Sequence, residues 1–257
     1  MCLLFLIFLC NPKTFPYSEF RFILTILIMQ PVSLSLSWPW IWLWAAVVIF
    51  ILLFFSDFLR VEKDKPRYKD LYWLSWCFVI AYMLHNFEEY WLDLTWNALG
   101  FTTVMGNLMN VEFSQSTIYI VNFSMVRLAM PLAAFLSRKN KWKYIATWAA
   151  WFLLVNWVWH IILSIVWKEY SPWLLTGILL FIPLAIRTYH LMIKGWMKKK
   201  FIIFNILWWL IYHLIMISIC MPWLKLGWST LLIDIIMGLD TIVIFYLWYR
   251  FQKHYSK

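Results

Sequence analysis

His85, Glu88 and Glu89 stand in the segment HNFEE at i, i+3 and i+4, so a helix carries all three on one face. Imidazole and carboxylate are the side chains that hold divalent metals or relay protons. Downstream, Asn156 and His160 in the segment NWVWH are four residues apart and share a face in the same way. Neutral His85 and His160 with one carboxylate would supply three ligands and leave a fourth position open, the pattern of a zinc-like catalytic site. In that scheme Glu88 or Glu89 is the ligand and the other the general base. Asn156 stabilises an oxyanion and His213 is a further candidate ligand. Without a metal, the same His and Glu residues fit a proton-shuttling, isomerase-like step.

These residues lie in an apolar chain. Of 257 residues, 64% are apolar, 13% are charged and 21 are tryptophan, and the mean hydropathy is +0.74. Soluble domains carry charge on about a quarter of their residues, so this chain cannot cover a water-soluble surface. The expected fold is all-α, a polytopic transmembrane bundle of about seven spans. A span takes about 20 mostly apolar residues, and seven stretches qualify: Trp38 to Phe58, Leu71 to Leu92, Thr117 to Leu136, Tyr144 to Trp167, Trp173 to Ile193, Phe201 to Cys220 and Thr230 to Tyr249.

Basic residues collect in alternate loops: Arg60, Lys63, Lys65, Arg67 and Lys69; Arg138, Lys139, Lys141 and Lys143; Lys194, Lys198, Lys199 and Lys200; and Arg250, Lys253 and Lys257. Because Lys and Arg favour the cytoplasmic side, the C-terminus is expected there, with residues 251–257 as a cytoplasmic tail. That asymmetry suits a bacterial inner membrane. The formal charge of +10 does not point to nucleic acid, since the basic residues punctuate apolar runs instead of forming one face. Cys2, Cys10, Cys77 and Cys220 show no metal-site or disulfide spacing.

Residues 1–36 fit the scheme poorly. Cys2 to Cys10 is too short to span, Phe20 to Leu36 is a borderline eighth span broken by Gln30 and Pro31, and Met29 is an alternative start. The transmembrane domain is expected over residues 37–250. Within it, topology brings His85, Asn156, His160, His213, Thr176 and Asp234 to a polar layer in the outer half of the bilayer. Ionisable groups at that depth are costly, which marks them as functional candidates, although a lone His or Asn also serves as helix-packing glue. Arg127 and Asp240 reach equal depth on helices of the same direction, where an ion pair would neutralise both. Arg187 and His190 are expected to snorkel to the cytoplasmic interface. Tryptophans at span ends are read as interfacial anchors.

HNFEE followed by NWVWH resembles the HXXEE family of uncharacterised integral membrane proteins, named for its first motif and also carrying an N-x-x-x-H motif. The resemblance covers Leu71 to Ile193 and carries over to His85, Glu88, Glu89, Asn156 and His160. Tyr170, Ser171, Pro172 and Thr176 are similar to a Y-x-P-G-x-x-T stretch of the same proteins, with Trp173 in place of the glycine. The resemblance implies enzymatic activity without naming a reaction.

The expected function is an intramembrane enzyme, a metal-dependent hydrolase of a lipid or prenyl-type substrate, with a divalent, zinc-like cofactor and membrane lipid as its surroundings. The rival is a transporter or binding protein in which the same layer couples to protons or cations. A structural or assembly role would leave the buried His and Glu cluster an unexplained cost.

Overall fold

The computed structural model describes residues 34–91, 128–138, 147–168, 170, 174–195, 202–203, 205–214 and 230–255, with a few single positions between them. Contacts divide the chain into Met1–Trp38 and Pro39–Lys257, and the candidate site lies within the second unit. All regular structure among the described residues is helical, with no strand.

The helices in chain order are α1 Leu34–Phe55, α2 Leu71–Tyr90, α3 Met130–Leu136, α4 Trp148–Trp167, α5 Leu174–Gly195 and α6 Thr230–Tyr255. Residues 205–214 are also helical. Three segments are long and apolar enough to cross a membrane: Trp38–Phe55 of α1, Ala149–Val166 of α4 and all of α5. The expected count of seven is therefore not reached among the described residues. Helix α2 has the length, but its motif residues and its Tyr and Trp side chains dilute its apolar character. The expected spans Thr117 to Leu136 and Phe201 to Cys220 are described only in part. The proposed Arg127–Asp240 pair lies outside the described residues.

Helix α2 is the centre of the unit. It packs against α3, α4 and α5 and is buried over most of its surface from Tyr72 to Tyr90, with Trp76, Leu84 and Phe87 half-buried along one side. Its start is fixed by Asp70, a buried N-cap whose Oδ1 accepts from the backbone N–H of Tyr72 at 2.9 Å and of Trp73 at 3.4 Å. The second oxygen, Oδ2, accepts from Val61 N–H at 2.7 Å and Glu62 N–H at 3.0 Å. One carboxylate thus satisfies orphan donors of the helix and closes the loop that precedes it.

Helix α1 lies along α2, with Trp73 Nε1 donating to the Leu53 carbonyl at 3.0 Å and the Phe54 and Trp73 rings 5.3 Å apart. Its other face carries exposed Val48, Ile51 and Phe55, and an apolar exterior is what a helix facing hydrocarbon presents. In the loop, Arg60 pairs with Asp57 at 2.8 Å. Arg187 on α5 reaches the same loop, donating from Nε to the Tyr68 carbonyl at 2.7 Å with its guanidinium over the Tyr68 ring. The interfacial reach expected of Arg187 thus ends on a backbone carbonyl and an aromatic face.

Helix α4 ends at Lys168, whose left-handed backbone (φ 57°, ψ 30°) turns the chain toward Tyr170 and α5. Helix α5 opens with Leu174–Thr176 and widens at once into a π-turn over Gly177–Phe181. Such a turn often accompanies a functional site. Here it lies beside Trp157 of α4: a Cβ on Gly177 would fall inside the Trp157 indole, so the glycine permits the close approach of α4 and α5.

Candidate metal centre

His85 and Glu89 are one turn apart on α2, and His160 faces them from α4. One ligand atom from each of the three lies within 4.8 Å of the others. All three residues are buried, His85 1%, Glu89 4% and His160 6% exposed. His85 Nε2 and Glu89 Oε2 are 3.7 Å apart, too far for a hydrogen bond. Among the described residues His85 Nε2 finds no hydrogen-bond partner.

Ligand atoms on a tetrahedral ion with bonds of about 2.1 Å stand about 3.4 Å apart, so small rotations of these side chains close the set around one cation. The donors, two imidazoles and one carboxylate, match those of catalytic zinc sites. This His/Glu group could therefore hold a metal ion.

Aromatic rings wall the group. His85 stacks on Tyr82 at 5.6 Å, one turn earlier on α2, and its ring lies 4.9 Å from Phe181 in the π-turn and 5.8 Å from His160. The Tyr82 ring also meets Phe152 of α4 at 6.0 Å. Rings of this kind exclude water and fix imidazole rotamers.

Glu88, the other motif carboxylate, is buried but faces the start of α5. Its Oε1 accepts from Tyr170 Oη at 2.9 Å and from Leu175 N–H at 3.1 Å. Its Oε2 accepts from Thr176 N–H at 3.0 Å and from Thr176 Oγ1 at 2.6 Å. Glu88 is thus a tertiary cap on the first turn of α5, taking up backbone N–H groups that have no partner within their own helix. Thr176 Oγ1 also lies 2.8 Å from His85 Nδ1.

Of the remaining candidates, Asn156 is half-buried on the turn of α4 before His160. His213 is buried and stands outside the three-residue group: its ring packs 6.0 Å from Phe152, and Nδ1 lies 2.8 Å from the Trp209 carbonyl. Asn205, Trp209 and His213 share one buried face of the 205–214 helix. Asp234 is buried on α6, also outside the group. Helical spacing alone predicts His85, Glu88 and Glu89 on one face and depth alone puts His160 in the same layer; the structure groups His85, Glu89 and His160 and turns Glu88 toward α5. The spacing argument missed Tyr82 and Phe181 as walls, although Tyr82, three residues before His85, was within reach of the same periodicity.

A buried His/Glu group on a bundle of helices, some able to cross a membrane, defines a helical membrane-type protein with a candidate metal centre. Residues 76–188, a little under half the chain, match the family described as protein of unknown function with HXXEE motif. The matched segment contains every residue of the metal group, as well as Glu88, Asn156, Tyr170 and Thr176. No curated protein and no solved structure matches the chain.

Proposed function

We propose that the chain is an intramembrane metal-dependent hydrolase acting on a lipid or prenyl-type substrate at the centre formed by His85, Glu89 and His160. The observation that carries this reading is the convergence of two imidazoles and a carboxylate within 4.8 Å in a buried, aromatic-walled interior. A buried carboxylate facing neutral rings is costly, and a cation shared among them offsets that cost.

A divalent ion bound there would supply Lewis acidity and lower the pKa of water toward about 7. His85 and Glu89 offer lone pairs from adjacent turns of α2, and His160 offers one from α4. Tyr82, Phe152 and Phe181 keep bulk water out. Asn156, one turn before His160, offers an amide to a developing oxyanion. Glu88 is engaged by four donors at the start of α5, so Glu89 is the ligand and Glu88 is reserved for positioning. The apolar exteriors of α1, α4 and α5 favour a substrate that arrives from lipid.

The wider frame is proposed with it: about seven spans, a cytoplasmic C-terminus and a bacterial inner membrane, on the strength of the alternating basic loops. The test is turnover of a mixed panel of phospholipid and prenyl-ester substrates by the full chain in lipid nanodiscs, with metal chelation and add-back. Turnover that falls at least 100-fold in Glu89→Gln, and on chelation, supports the proposal. No turnover, together with solute uptake into vesicles that collapses with the proton gradient, would replace it with a transporter.

A further inference from the structure

Thr176 has one hydroxyl proton, and two groups compete for its oxygen. Glu88 Oε2 is 2.6 Å away and His85 Nδ1 is 2.8 Å away. Two oxygens at 2.6 Å require a proton between them. Glu88 is surrounded by donors on both oxygens, two of them backbone N–H groups that can only donate. That environment complements an ionised, acceptor-only carboxylate with about four lone-pair sites. The Thr176 proton therefore goes to Glu88, and the Thr176 oxygen is left to accept from His85.

We infer that Thr176 and Glu88 hold His85 in its Nδ1–H form, so that the Nε2 lone pair is aimed at Glu89 and His160. A histidine ring that donates from one nitrogen must offer the other as the acceptor or metal ligand, and the partner of the donor nitrogen fixes which is which. Nε2 is the His85 nitrogen that faces Glu89, at 3.7 Å, and among the described residues it has no hydrogen-bond partner. Free histidine in water favours the opposite, Nε2–H form, in which the site-facing nitrogen would carry a proton and could not bind a metal. Thr176 and Glu88 are positioning residues: they act through His85.

The arrangement divides the two glutamates of the motif. Glu89 faces the ligand group, while Glu88 orients the histidine through Thr176 and caps α5 at the same time. It also ties the centre to the α4–α5 connection, because Tyr170 and Thr176 hold the same carboxylate from both ends of that connection. The inference deepens the metal reading and rests on it for its chemical purpose, but the direction of the hydrogen bonds can be measured without metal.

The experiment is nitrogen-15 NMR of the full chain in nanodiscs, histidine-labelled and freed of metal by chelation. The His85 signals are assigned by their loss in His85→Gln. Wild type is expected to show the Nδ1–H form. Thr176→Val, which keeps the backbone N–H bond to Glu88 and loses the hydroxyl, is expected to shift His85 toward the Nε2–H form and to weaken zinc binding about 10- to 100-fold. Thr176→Ser is expected to restore both. An Nε2–H ring in wild type overturns the inference without reference to any variant, as does a folded Thr176→Val protein that keeps the Nδ1–H form. If the ring behaves as expected but wild type binds no zinc, the metal reading fails and the positioning role stands.

Discussion

His85 Nε2 and Glu89 Oε2 stand 3.7 Å apart on adjacent turns of α2, beyond a hydrogen bond and close to the spacing of two ligands on one ion. The i, i+4 geometry of a helix produces that gap directly, and His160 of α4 completes the group. Around it, Asp70 caps α2, Glu88 caps the start of α5 and Lys168 ends α4 in a left-handed turn.

Asp70 takes four backbone N–H groups on one buried carboxylate. Asp70→Ala leaves those donors without partners, and the expected loss is about 2 kcal/mol of stability, more than a simple N-cap deletion of about 1 kcal/mol. Denaturation of the purified variant in detergent checks this; a loss within a few tenths of a kcal/mol would show that water replaces the carboxylate.

Gly177 lies against the Trp157 indole with no room for a Cβ. Gly177→Ala is expected to separate α4 from α5, destabilise the protein by about 1–3 kcal/mol and displace Thr176 from His85. Trp157→Leu in the same chain should recover part of the stability. Thermal denaturation of the two single variants and the double variant reads both effects, and additive losses would contradict the contact.

Lys168 holds a left-handed backbone at the end of α4, a conformation that costs a residue bearing a Cβ about 1 kcal/mol. Lys168→Gly should therefore stabilise the protein by about 0.5–1 kcal/mol, and Lys168→Val should weaken it. Equal melting temperatures for the three proteins would contradict this assignment.

In the loop before α2, the hydrogen bond from Arg60 to Asp57 holds the Asp57 carboxyl below its ordinary pKa, aided by the charges of Arg60, Arg67 and Lys63. A depressed carboxylate adds stability above its unfolded pKa and loses it as pH falls through the folded value. The loop is expected to loosen only in acid below the ordinary aspartate range. Carbon-13 NMR of the Asp57 carboxyl should show its midpoint rise in Arg60→Ala, and an unchanged midpoint would contradict the pairing.

Much of the centre could be read in the sequence because helical spacing alone puts His85 beside Glu89, and because buried ionisable groups demand a reason. Spacing could not separate the roles of Glu88 and Glu89, which depend on where the start of α5, more than eighty residues away, meets α2. Topology predicts Thr176 in the same polar layer as His85, but its bond to both Glu88 and His85 follows from how the start of α5 meets α2. That meeting has no clear periodic signature. The helical class was legible in composition. Among the described residues three segments are long and apolar enough to cross a membrane; α2 is as long as a span but carries the polar motif, and its packing against α3, α4 and α5 accounts for residues that would be costly against lipid.

In the proposed centre His85, Glu89 and His160 share one divalent ion. Elemental analysis of the purified wild-type chain, prepared without chelator, alongside folded His85→Ala, Glu89→Ala and His160→Ala, tests it most directly. Near-stoichiometric divalent metal in wild type and its loss in all three variants is the predicted result. A well-folded wild type that carries no metal and takes up none on reconstitution, or variants that retain it, would contradict the claim.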